Sequence, residues 1–208
     1  MNDLKQFFED SKGSFSLFFK SYTEYFFELT KSVDVASVEN LVKMLIEARE
    51  RGSTIFIIGN GGSAATASHF TEDLALCAGA HEDKPFRALS LSDSTPYITA
   101  LGNDEGYENV FIGQLRNLYK AGDVLIAFSA SGNSSNLIKA IDYVNSKNGQ
   151  TFGILGFDGG EAKKRCAQSI TVTSPRGHYG PVESVHVLLM HTVSNYLFFK
   201  LSGEVKKL

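Results

Sequence analysis

The chain has 208 residues, 43% of them hydrophobic and 21% charged, a length and balance that fit one folded α/β domain and exclude a disordered or fibrous chain. Twenty Lys and Arg stand against 23 Asp and Glu, a formal charge of −3 with no long basic run, so nucleic acid is not an expected partner. The first residues lack a cationic stretch leading into an apolar run, and nowhere do about 18 apolar residues follow one another, so a cytoplasmic protein with no membrane partner is expected.

From Leu4 to Thr30, Phe8, Phe15, Phe18, Phe19, Tyr22, Phe26 and Leu29 recur at three- and four-residue spacing, which predicts amphipathic helix with a break at Gly13. So much aromatic surface needs burial, either against another subunit or back on the chain's own core. A second helix is predicted from Ser37 to Arg51, with Gly52 as its stop. Five apolar runs follow, Thr54 to Gly59, Phe86 to Ser92, Asp123 to Ser129, Thr151 to Phe157 and Ser169 to Thr173, separated by helical patterns. Such runs read as strands buried on both faces, hence a three-layer α/β sandwich around a parallel sheet. A helix from Asn136 to Lys147 and a last one from Pro181 to Lys200 complete the pattern, and the polar tail from Gly203 to Leu208 is expected to fray. Cys77 and Cys166 lie far apart without metal or redox spacing, which suits free thiols.

Two strand ends carry the chemistry of anion binding. After the first strand come Gly59, Asn60, Gly61, Gly62 and Ser63, then a helix-favouring run; glycines let backbone approach a ligand, and the first amides of the helix attract negative charge. By itself such a turn is as often only a tight connection. The third strand runs into Ser129, Ala130, Ser131, Gly132, Asn133, Ser134, Ser135 and Asn136, where hydroxyls and amides can cradle a phosphate without a cationic side chain. Neither loop has the P-loop ending or the dinucleotide glycine spacing, so small phosphorylated metabolites are favoured over nucleotides.

Ionisable residues gather on two helices. His69 and Asp73 stand four apart and share a face, and the last helix, otherwise apolar, offers Glu183 and His191, eight apart and read as one face two turns apart, with His186 displaced. Two carboxylates and two imidazoles could clamp a divalent metal or supply an acid and a base; the plain alternative is a set of core or interface histidines. Asn103 and Asp104, in a Leu-Gly-Asn-Asp-Glu-Gly stretch, read as a turn able to meet sugar hydroxyls.

In order and separation, Gly59 to Ser63, His69 to Asp73, Gly102 to Gly106, Ser129 to Ser134 and the helix with Glu183, His186 and His191 resemble the motifs of the sugar isomerase (SIS) domain family, and within it those of the phosphoheptose isomerases. The resemblance spans nearly the whole chain. It implies a single SIS domain over residues 1–208, a flavodoxin-like five-stranded parallel sheet, and N-terminal helices (1–52) used in packing a cytoplasmic homotetramer. It further implies isomerisation of sedoheptulose 7-phosphate to a heptose 7-phosphate for lipopolysaccharide or capsule synthesis. Asn60, Gly61, Gly62 and Ser63 would line the sugar site, Asn103 and Asp104 would bind hydroxyls, and Ser129, Ala130, Ser131 and Ser134 would form the phosphate loop. His69, Asp73, Glu183 and His191 would be zinc ligands, with Asp73 and His191 as acid and base, Asp73 and Glu183 also touching substrate. Three positions depart from the family pattern: Asp73 replaces the usual Glu, Glu183 the usual Gln, and Ala130 the usual Thr. Two other readings stay open, an isomerase or epimerase of a different sugar phosphate, and a non-catalytic relative that binds a phosphosugar or a replication-initiation protein.

Overall fold

The computed structural model describes residues 4–77 and 84–202; the tail from Gly203 to Leu208 and its expected fraying lie outside them. The aromatic N-terminus forms α1 (Leu4–Asp10) and α2 (Phe15–Lys31). Gly13, at φ 79°, breaks them as expected, and Ser14 caps α2 by accepting the Leu17 amide. α3 (Val35–Arg51) runs from the Asp34 cap, whose carboxylate accepts the Ala36 amide, to Gly52 in the left-handed conformation.

Five parallel strands follow, β1 (Thr54–Ile58), β2 (Arg87–Ser90), β3 (Val124–Ser129), β4 (Gln150–Gly156) and β5 (Gln168–Val172), in the order β2-β1-β3-β4-β5. Each matches one of the apolar runs to within two residues at either end. β3 is central and wholly buried, which is why Val124 to Ser129 carries no alternation of polar and apolar residues. The connecting helices are α4 (Gly62–Glu72), α5 (Thr95–Asp104), α6 (Ile112–Leu118), α7 (Ser135–Ser146), α8 (Gly160–Arg165) and α9 (Tyr179–Leu201). One sheet face buries Ile55, Ile57, Ile126, Phe128 and Ile154 against α2, α3, α4 and α9, and the other buries Phe56, Ile58, Leu125 and Leu155 against α6, α7 and α8. The architecture is thus the expected three-layer sandwich with added N-terminal helices. α9 is apolar nearly all round because the sheet, α2 and α4 each cover part of it.

One local feature differs from the sequence reading. Asn103 and Asp104 do not form a turn; they close α5, which Pro96 starts and which the chain leaves only at Glu105 and Gly106 (φ 90°). α4, whose end the sequence left unmarked, widens after Glu72 into a π turn over Asp73–Cys77, a distortion often found where a helix carries function.

Candidate active site

The sheet order sends the chain from β1 outward to β2 and then back across to β3, so the carboxyl ends of β1 and β3 flank the point where the winding reverses. Crevices at such points hold ligands in open α/β sheets. Both loops singled out in the sequence lie there. In the first, Ser92 braces Gly59, its hydroxyl donating to the Gly59 carbonyl at 3.0 Å and accepting the Gly59 amide at 3.3 Å. The Asn60 and Asn136 side chains exchange two hydrogen bonds of 2.9 Å, and the Tyr107 hydroxyl donates to Asn60 Oδ1 at 2.9 Å. Tyr107 escaped the sequence reading, and Asn136 entered it only as the last residue of the serine loop, since partners 47 and 76 positions away leave no local pattern.

The second loop is held in shape by its own hydroxyls and by α8. Ser129 Oγ accepts the Gly132 amide at 3.0 Å, and Ser131 Oγ accepts the Asn133 amide at 3.3 Å. Asn133 Oδ1 accepts the Glu161 amide at 3.1 Å, while the Ala162 amide donates to the Gly132 carbonyl at 2.9 Å. Gly132 is required here: its φ is 63° and a Cβ would strike the Gly159 carbonyl. Ala130 is buried beneath the loop. Ser134 occupies the N-cap of α7 without capping it, so its hydroxyl and the Ser135 and Asn136 amides remain available to an anion, whereas the Leu137 amide already donates to Asn136 Oδ1 at 2.9 Å.

Behind the loops α4 packs on α9, and there His69, Asp73 and His191 converge: one ligand atom from each lies within 4.8 Å of the others. His69 Nε2 stands 3.8 Å from Asp73 Oδ1, and the His69 and His191 rings meet edge to face with centroids 4.9 Å apart. Asp73 is buried and His69 exposed, so the group opens outward from a fixed carboxylate. Two imidazoles and a carboxylate at these separations are a donor set that suits zinc.

Glu183 is not part of this trio. Eight residues of helix separate it from His191, a net rotation of roughly 80°, and its carboxylate faces Gly62, where any side chain would collide with it. It lines a cleft of about 400 Å³ together with Tyr22, Gly62, His69 and Ser184. Burial raises the Glu183 carboxyl above the ordinary range. Tyr22, which in the sequence belongs only to an apolar stripe, reaches this cleft because α2 packs on α9. Asn103 and Asp104 are exposed and hydrogen-bond each other at 2.7 Å; among the described residues no bond ties them to either loop. His186 is 1% exposed and turned into the core toward Phe128, away from the trio.

A doubly wound parallel sheet with a hydroxyl- and amide-lined switch point and an ionisable group on the helices behind it defines an α/β domain that handles a small anionic metabolite. The SIS domain model matches residues 18–156. The phosphoheptose isomerase of Helicobacter pylori is 40% identical over 155 residues, 72% of this chain and 77% of its own, and that of Trichlorobacter lovleyi is 37% identical over 173 residues, 81% and 87% of the two chains. Among solved structures, the phosphoheptose isomerase GmhA of Neisseria gonorrhoeae superposes with a TM-score of 0.76 at 28% identity, covering 86% of this chain and 94% of that one. The chain belongs to the SIS domain family, and the two curated relatives named above, each matched over most of its length, are phosphoheptose isomerases.

Proposed function

We propose that this protein is an aldose-ketose isomerase that converts sedoheptulose 7-phosphate to D-glycero-D-manno-heptose 7-phosphate for lipopolysaccharide or capsule synthesis. The observation that carries the reading is the convergence of His69, Asp73 and His191 on the helices behind the β1 and β3 loops. The 34–40% identity to phosphoheptose isomerases supports the choice of sugar.

Ser129, Ser131 and Ser134, around Ala130, receive the phosphate through hydroxyls, loop amides and the start of α7. Held far from the chemistry, the phosphate contributes binding energy that orients the reacting end. Asn60, Gly61, Gly62 and Ser63 line the sugar, Glu183 adds a carboxylate at the cleft, and Asn103 and Asp104 meet hydroxyls. With the sugar ring open, Asp73 and His191 serve as the proton-transfer pair. One removes the C1 proton while the C2 carbonyl oxygen gains a proton, giving a cis-enediol. A proton then returns to C2 as the C1 hydroxyl gives up its own, leaving the aldehyde. Zinc, held by His69, Asp73 and His191 with Glu183 alongside, supplies polarisation of the carbonyl oxygen when bound.

The whole chain, residues 1–208, is read as one SIS domain that assembles as a cytoplasmic homotetramer, with residues 1–52 in its subunit packing. Among the described residues no helix is long and apolar enough to cross a membrane, and Cys166 is a free thiol.

The test is incubation with sedoheptulose 7-phosphate, following the aldose proton by NMR. The native protein forms the aldose, and Ser131→Asp, which sets a negative charge in the phosphate loop, abolishes both binding and turnover. Turnover of another ketose phosphate with sedoheptulose 7-phosphate untouched sinks the substrate assignment, and unchanged affinity in Ser131→Asp removes the loop from the site.

A further inference from the structure

We infer that Ser194 is a positioning residue for Asp73, holding the shortened carboxylate of this site in the orientation that serves the trio. The inference rests on the isomerase reading above and extends it to a residue that touches neither sugar nor metal.

Ser194 lies on α9 one turn beyond His191 and is 2% exposed. Its hydroxyl is 3.0 Å from Asp73 Oδ2 and 3.2 Å from the His191 carbonyl. A hydroxyl has one proton to give, and a buried carboxylate accepts it more strongly than a peptide carbonyl already engaged in a helix. The proton therefore goes to Asp73. This is the one hydrogen bond made by the Asp73 side chain among the described residues, because His69 Nε2, at 3.8 Å from Oδ1, stands beyond hydrogen-bond reach.

The consequence is geometric. With Oδ2 tied to Ser194 at the α4–α9 contact, rotation of the carboxylate is fixed and Oδ1 is the oxygen presented to His69 and His191. Asp73 also begins the π turn, so its backbone lies where the helical register changes and does not by itself fix the side chain. Its carboxylate reaches one methylene less far than a glutamate would from the same position, and a misplacement of about 1 Å at a reacting group can cost 10²-fold in rate. Ser194 supplies the anchor from the opposite helix. Outer partners of this kind typically change metal affinity or activity 10–100-fold when lost.

Ser194→Ala removes the hydroxyl without adding volume and, in a helix, without loss of propensity. Ser194→Thr keeps it. In the full-length protein two readouts are taken, steady-state kinetics with sedoheptulose 7-phosphate and zinc affinity by competition with a chelator. Ser194→Ala is expected to lower kcat about 10-fold with KM changed less than about 2-fold, since phosphate binding is remote, and to weaken zinc about 10-fold. Ser194→Thr restores both toward native values. A melting curve within a few degrees of native accompanies the pattern; a loss that appears only with a lowered melting temperature and a parallel rise in KM assigns Ser194 to packing and overturns the proposal. Native turnover or native zinc affinity left within 2-fold by Ser194→Ala overturns it while leaving the isomerase reading intact. A native protein that binds zinc without isomerising the sugar fails that reading alone, and the zinc arm then decides for Ser194. Absence of both in the native protein overturns the two together.

Discussion

His186 lies at the contact of α9 with the sheet, 1% exposed, and neither ring nitrogen reaches a hydrogen-bond partner. Burial pushes its pKa from 6.5 down to about 4, outweighing the opposing influence of the Leu155 backbone. The folded state thus keeps His186 neutral where the unfolded chain would protonate it. Stability is lost as pH falls from about 6.5 toward 4, the penalty reaching about 2 kcal/mol near pH 5. His186→Leu is expected to unfold at similar or higher urea concentration at pH 7 and to lose less stability than the native protein between pH 7 and pH 5. Parallel losses in the two proteins would assign the acid sensitivity to other groups. The same residue shows how far composition reaches: a histidine in an apolar helix could be a ligand or a core residue, and only its burial away from His69 and Asp73 separates the two.

At the scale of elements, the serine loop depends on α8 as much as on its own sequence. Gly132→Ala forces a left-handed backbone on a residue with Cβ and drives that atom into the Gly159 carbonyl. Strain alone costs about 1–2 kcal/mol, and the collision adds to it. Gly52, left-handed at φ 68° and ψ 23° with open space where a Cβ would go, provides the comparison. Gly52→Ala should therefore destabilise by only about 1 kcal/mol, whereas Gly132→Ala loses more stability in denaturant melts and weakens phosphosugar binding in calorimetry. Equal destabilisation by the two changes would show that α8 does not brace the loop. The N-terminal helices follow a related logic. Tyr25 and Leu29 are buried, and the Tyr25 hydroxyl meets His178 Nδ1 at 2.9 Å just before α9, so one stripe of α2 folds back on the domain. The two destinations open for the aromatic stretch are therefore not exclusive.

The whole molecule presents the other stripe. Phe15, Phe19 and Phe27 on α2 are 77%, 59% and 54% exposed, and a groove of about 700 Å³ between α3 and α9, lined by Val35, Val38, Val42, Ile46 and Tyr196, is likewise uncovered. Apolar surface on this scale marks an interface. Light scattering is expected to give a mass near four subunits, and Phe15→Glu with Phe19→Glu to lower it together with turnover; a fully active native monomer contradicts the assembly. By itself the sequence determined the layers, the five strands, the break at Gly13, the glycine-rich and serine-rich turns at two strand ends and the pairing of His69 with Asp73, because each rests on periodicity or on neighbours within one helical turn. Tertiary structure alone decided which residues meet across elements. It joined His191 to His69 and Asp73 but rotated Glu183 toward Gly62, tied Asn60 to Asn136 and Tyr107, brought Tyr22 to the cleft and set Ser194 against Asp73. The physical reason is that helix rotation and packing between distant segments fix these contacts to within an ångström, whereas local spacing fixes only which face of its own helix a side chain occupies.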